Sequence, residues 1–279
     1  MTETPGHHFL HLAPSETGLG QVFARPKAIA AGCIIVITGL GWLYLALLTA
    51  APGGTGSWPV MLTALCRAVP EAWSFPGIAI AAAMWSAMTL AMMLPGAAPM
   101  ILTYAEIAET AARKGERIVS PFVIAAGYAT VWLVFSFAAS AMQIALTRAA
   151  LLDRDLASAG GILAAVILIG AGLYQFSQLK HACLTRCQHP FPFFFTNWAT
   201  TRSGVFRLGL RQGLYCLGCC WAMMTVMFAV GVMNVAWMAV LAGVMAVEKL
   251  QRGHRFAHVV GFSLIVIGAG MAVKTLGLQ

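Results

Sequence analysis

Apolar residues run along this chain in long blocks, with the polar residues gathered between them. Seven blocks approach the roughly 20 apolar residues that a membrane-spanning helix needs. They are Ala28–Ala50, Gly77–Tyr104, Phe122–Leu146, Gly160–Leu179, Leu208–Val230, Val232–Val247 and Ala257–Leu276. The pattern predicts an all-α polytopic membrane helix bundle of about seven transmembrane helices over 28–279, preceded by a polar tail over 1–27. Pro95 and Pro99 interrupt the second block. Each removes a helical hydrogen bond, so a kink or short unwound piece is expected there. Blocks five and six are separated only by the Gly231–Asn234 region, which predicts a tight helical hairpin.

Composition narrows the class. The 279 residues are 60 % apolar and 9 % charged, with a mean hydropathy of +0.82. Soluble domains carry about 25 % charged residues. An ordinary soluble enzyme, a disordered chain and a nucleic-acid-binding domain are excluded. The net charge of +8 then reports topology. With seven spans, Arg67, Arg148, Arg154 and Lys274 fall on one side, and the other 13 of the 17 Lys and Arg fall on the side of the N-terminus. Positive loops stay inside, so the N-terminus is expected in the cytoplasm and the chain in a bacterial inner membrane, with the lipid bilayer as its first partner. Block one is too long for a signal peptide's apolar core and follows a polar tail, so cleavage is not expected.

Sulfur is the part of the apolar bulk with chemical character. On a helix, Cys216, Cys219, Cys220, Met223, Met224 and Met227 form one stripe by their three- and four-residue spacing. Met84, Met88 and Met92 form another in the second block, with Met93 beside them. At about 1.5 Å rise per residue, Cys216 lies ~12 Å and Met88 ~13 Å from the cytoplasmic face, so the stripes can be level. Thiolate and thioether ligands favour Cu(I). Zinc accepts the thiolates but not thioethers, and an iron–sulfur cluster usually wants four cysteines where this helix offers three. The blander alternative is core packing, since Met and Cys fill gaps well and small residues let helices approach.

A second run, Lys180-His181-Ala182-Cys183-Leu184-Thr185-Arg186-Cys187-Gln188-His189, sets His181, Cys183, Cys187 and His189 within nine residues past the fourth block. It reads as a cytosolic entry site for metal or as a solvated basic loop. His7, His8 and His11 in the tail are read as incidental. Glu106 and Glu248 are expected at the cytoplasmic boundary, Glu248 pairing locally with Lys249 or Arg252. The aromatic stretch Pro190–Trp198 reads as an interfacial or re-entrant piece. Trp85-x-x-Met88-Thr89 and Trp221-x-x-Met224-Thr225 echo each other on oppositely directed helices, the kind of pairing an inverted repeat produces. No Walker loop, dinucleotide fingerprint, nucleophile elbow or zincin motif is present.

Met92-Met93-Leu94-Pro95-x-x-x-Pro99-Met100, Lys180-x-x-Cys183-x-x-x-Cys187, Cys216-x-x-Cys219-Cys220-Trp221 and Gly231-x-x-Asn234-x-x-Trp237-Met238 together resemble a bacterial family of integral membrane proteins described as metal-binding and of unknown function. The resemblance runs over most of blocks two to six and implies a bound metal without naming an activity.

The leading reading is therefore a membrane protein that binds a soft metal, copper first, for handling or delivery, with other membrane or metal-delivering proteins as partners and no nucleic acid. Cys216, Cys219 and Cys220 are the primary ligands, Met88, Met92 and Met224 secondary ones, and Cys183, Cys187, His181 and His189 the entry site. A non-catalytic membrane subunit packing against protein or pigment partners is the second reading. A membrane thiol–disulfide oxidoreductase through Cys216-x-x-Cys219 is the third, and an enzyme is the less favoured class.

Overall fold

The computed structural model describes residues 32–36, 38–43, 75–115, 118–152, 158, 160–232, 234–251 and 253–277. The tail 1–27, with its three histidines, lies outside them, as does most of the first apolar block. Residues 32–36 and 38–43 are helical. Beyond them the described residues form nine helices and no strand: α1 (Phe75–Arg113), α2 (Pro121–Arg148), α3 (Gly161–Tyr174), α4 (Gln178–Gln188), α5 (Pro190–Thr196), α6 (Arg202–Thr225), α7 (Met227–Val230), α8 (Val235–Leu250) and α9 (Arg255–Gly277).

The ends of these helices are written locally. Ser120 accepts a hydrogen bond from the Phe122 amide at the start of α2, with Pro121 in the first helical position. Thr201 caps α6 through the Gly204 amide, and Asn234 caps α8 through the Trp237 amide. Gly115, at φ +77°, follows α1 in the left-handed conformation that glycine reaches without steric cost. Gly231, at φ +101°, makes the turn between α7 and α8, so the expected hairpin is present.

Among the described residues, four helical stretches are long and apolar enough to cross a membrane by themselves: Gly77–Arg113, Pro121–Arg148, Arg202–Val230 and Arg255–Gly277. The fourth apolar block departs from expectation. It does not continue to Leu179 as one span but ends at Tyr174, and the chain bends by 64° into α4. Ser177 makes the break: its side chain accepts from the Lys180 amide and starts a new helix. Counted as one bent span, α3 and α4 bring the total to five. At 16 residues, α8 reaches only ~24 Å, less than a ~30 Å hydrocarbon core.

Pro95 and Pro99 do not unwind α1, which runs continuously through both. The turn they weaken is supported from outside, because the Tyr128 hydroxyl donates to the Met93 carbonyl at 3.2 Å. At 39 residues, α1 is also far longer than the second block, and its last turns are polar.

α1 and α2 form a hairpin locked by polar contacts within the apolar core. Trp85 Nε1 donates to Gln143 Oε1 at 2.7 Å, and the hydroxyls of Thr89 and Ser136 lie 3.0 Å apart. α2 crosses α6 backbone to backbone: a Cβ on Gly127 would meet the Phe206 carbonyl, and one on Gly209 the Ile124 carbonyl. α9 packs on α3 in the same manner at Gly172 and Gly261. Small residues let helices approach this closely where apolar burial alone does not drive association. Gly209→Ala is accordingly expected to destabilise the bundle by about 1–3 kcal/mol through overpacking. Gly170→Ala, where nothing lies within 4 Å of the added carbon, should leave the thermal midpoint in detergent unchanged or raised. Equal midpoints for the two variants would remove this crossing as the anchor of α6.

Candidate metal centre

The crossing with α2 fixes the rotation of α6, and that rotation points its cysteines inward. Cys216, Cys219 and Cys220 are all buried, and their Sγ atoms lie within 4.8 Å of one another. Cys219 and Cys220 Sγ are 3.4 Å apart, and the Cys219 thiol lies 3.2 Å from the Cys216 carbonyl. A thiolate–metal bond of about 2.3 Å, the zinc value, allows two sulfurs on one ion to stand up to ~4.6 Å apart. Cys219 and Cys220 are already at chelating separation, and Cys216 stands at or close to it. Its donors are soft, matching Cu(I).

α4 brings a fourth sulfur. Gln212 Nε2 donates to the Arg186 carbonyl at 3.4 Å, and the Arg186 guanidinium lies 4.7 Å from the centre of the Tyr215 ring. This docking leaves Cys187 Sγ 3.9 Å from Cys219 Sγ. Cys187 thus stands at the edge of the trio. Cys183 packs against the bare backbone of Gly218, where a Cβ would stand 2.6 Å from its sulfur.

The two histidines of the α4 run do not join the sulfurs. Nε2 of His181 donates to the Gln175 carbonyl at 3.0 Å, and its ring stacks on His254 with centroids 4.1 Å apart. His189 donates through Nδ1 to the Thr185 carbonyl at 3.0 Å, exposed. Helical phase explains the separation, since residues two apart face different ways. His181 and Cys183 cannot face one neighbour together, nor can Cys187 and His189.

Met88, Met92 and Met224 are buried in the common core, but α1 turns a different thioether toward the site. Met93 Sδ lies 3.9 Å from Lys249 Nζ, and Met100 lines a small void with Cys216. Met93, Ala97 and Met100 share one face at three- and four-residue spacing, while Met88 and Met92 lie on another. The level differs as well. Tyr128 Oη bonds both to the Met93 carbonyl and to Cys216 Sγ, the latter at 3.0 Å. Cys216 is therefore level with Met93, not Met88, a displacement of five residues or ~7.5 Å along α1.

The residue that pattern reading missed is Lys249. Its ammonium reaches Cys216 Sγ at 3.2 Å. Its side chain lies along Gly96, where a Cβ would stand 2.6 Å from Nζ. Gly96, between the two prolines, thus forms a cradle that any larger residue would fill. Glu248 pairs with a more distant cation than its neighbour Lys249, and Arg252, the other expected partner, lies outside the described residues. Glu248 is bound at 2.7 Å to Lys180, both side chains nearly inaccessible. Gln188 Nε2 donates to the carbonyls of Glu248 and Gln251 at 2.8 and 2.7 Å, stapling the end of α8 to α4. The only advance signal was a Glu-Lys pair closing an apolar helix.

Glu106 lies elsewhere. It lines a cavity of about 690 Å³ between the end of α1 and α5, beside Phe191, Phe195 and Trp198. Phe194 is buried against Tyr104, whereas Phe195 is 81 % exposed. The aromatic stretch is a short helix with one buried and one open side.

Over residues 82–271, which contain every residue of this centre, the chain matches the family model PpoB2, described as a copper chaperone. It belongs to that family. No curated protein and no solved structure matches it.

Proposed function

We propose that this copper chaperone family member is a multi-pass membrane protein that carries Cu(I) as cargo on Cys216, Cys219 and Cys220, with Cys187 as the thiol that hands the ion in or out. The observation that carries this reading is the donor set: three buried thiols on adjoining turns of one helix, a fourth 3.9 Å away on another, and, among the described residues, no carboxylate or imidazole within the cluster. Hard cations want oxygen. Sulfur alone suits Cu(I), zinc or an iron–sulfur cluster, and membership of a copper chaperone family favours Cu(I) among them. The long apolar helices support a bilayer location, and the excess of Lys and Arg on one side supports a cytoplasmic N-terminus in a bacterial inner membrane.

Carrying and handing over a soft ion is ligand exchange. A thiol loses its proton as the metal–sulfur bond forms, and the cluster's burial excludes water and oxidants from the bound ion. Cys187, partly exposed on α4, is placed to bridge between the buried trio and the outside. The test is elemental analysis of protein purified from copper-replete, reducing growth. Stoichiometric copper is expected, and it should be absent after Cys216, Cys219 and Cys220 are all changed to Ser. Metal-free wild type under those conditions, or copper kept by the triple variant, overturns the reading. The thiol-exchange alternative is checked in parallel by counting thiols after mild oxidation, where no Cys216–Cys219 disulfide is expected.

A further inference from the structure

Two spaces meet at Lys249. On one side is a cavity of about 430 Å³ lined by residues that include Pro95, Gly96, Cys187, His189 and Gln251. On the other is a void of about 10 Å³, bordered by Cys216, Tyr128, Gln212 and Met100. Gly96, Cys187 and Lys249 border both. The void holds no more than about one water-sized sphere. Handing over an ion needs more room, because donor sulfur and acceptor sulfur must both be bonded to it at the midpoint of the exchange.

We infer that the Lys249 side chain is the gate of the cysteine site, withdrawing along Gly96 into the 430 Å³ cavity to admit Cu(I) carried on a thiolate donor and closing again behind it. This rests on the copper-cargo reading for its ligand, though not for its geometry. The parts are all in place. The stem lies against a backbone with no side chain in its way, at Gly96. The head is held by a sulfur contact at each end, Cys216 at 3.2 Å and Met93 at 3.9 Å. The residue before it is fixed to α4 by the Lys180 pair, so the side chain can swing while the helix stays. In the exchange, the bond from copper to the donor sulfur breaks as a bond to Cys187 and then Cys216 forms. The acceptor thiol's proton passes to the departing donor thiolate, and no electron changes hands.

A gate and a mere counter-charge predict opposite signs. The full-length apo protein in detergent is treated with iodoacetamide, and alkylation of the peptide carrying Cys216, Cys219 and Cys220 is followed by mass spectrometry, normalised to Cys183. With Lys249→Ala the gate predicts roughly tenfold faster alkylation, the factor expected when one charge-assisted contact no longer has to break. Loss of a counter-charge alone leaves fewer thiolates and slows it. Lys249→Arg, which keeps the charge with a bulkier head, should alkylate more slowly than wild type. Loading from Cu(I)–glutathione should be faster in Lys249→Ala. Unchanged or slower alkylation of Lys249→Ala overturns the gate. Failure of the wild type to take up Cu(I) would overturn the copper reading instead, while alkylation still decides the gate.

Discussion

Cys216→Ser alone is expected to weaken Cu(I) binding by more than 100-fold, the largest loss of any single cysteine variant. Changes to partners outside the ligand shell typically cost 10–100-fold in metal affinity, and loss of a ligand itself should exceed that. Cys216 is the sulfur with the most support. Tyr128 and Lys249 approach it at 3.0 and 3.2 Å, so the position of its sulfur is fixed from two sides. Serine keeps the shape but offers a hard oxygen that Cu(I) disfavours. Cys187→Ser should lose less at equilibrium and more in loading rate, because its sulfur comes from another helix, at the edge of the trio and partly exposed. Cys183→Ser should bind as wild type, since that sulfur is spent on packing against Gly218. Competition against a Cu(I) chelator of known affinity orders the three. Were Cys216→Ser to bind within about tenfold of wild type, roughly 1.4 kcal/mol, the trio would not be the primary site.

Local signals in this chain are read well from sequence because their causes are local. Gly231 and Asn234 make a turn and a cap within four residues of each other. The cysteine stripe of α6 needs only helical periodicity to be seen. The all-α class and the 1,4-spaced sulfurs follow from the same arithmetic. What escaped depends on which surface meets which. The bend at Ser177 was hidden because Gly160–Leu179 is uniformly apolar and the break comes from one capping hydroxyl. The depth of the methionines was misjudged because α1 continues to Arg113, nine residues past the apolar block, which shifts the baseline from which depth is counted. Lys249 was hidden by its neighbours. A basic residue at the end of an apolar helix ordinarily faces solvent or lipid headgroups, and nothing in the sequence says that Gly96, some 150 positions away, leaves a groove for it.

Removing either member of the buried Lys180–Glu248 pair is expected to destabilise the fold by about 3–5 kcal/mol, because the survivor is left as an uncompensated charge in the interior. The side chains are only 1 % and 2 % exposed, and Glu248 Oε1 has no hydrogen-bond partner, so the structure holds no second group ready to take over. Lys180→Met and Glu248→Leu should each lower the thermal midpoint in detergent sharply. The double variant should recover most of the loss, since apolar residues of similar volume often replace a buried pair at little cost. Recovery of stability should not bring full recovery of function. The pair helps set where the end of α8 sits on α4, and Lys249 is the next residue along. With the pair gone, the remaining tie is Gln188 to the carbonyls of Glu248 and Gln251, which fixes the backbone less tightly. The double variant should therefore fold, hold copper at the trio, and expose Cys216 to alkylation faster than wild type. Additive losses in the double variant, instead of recovery, would mean that the two charges do not act on one another, and that the end of α8 is held by Gln188 and packing.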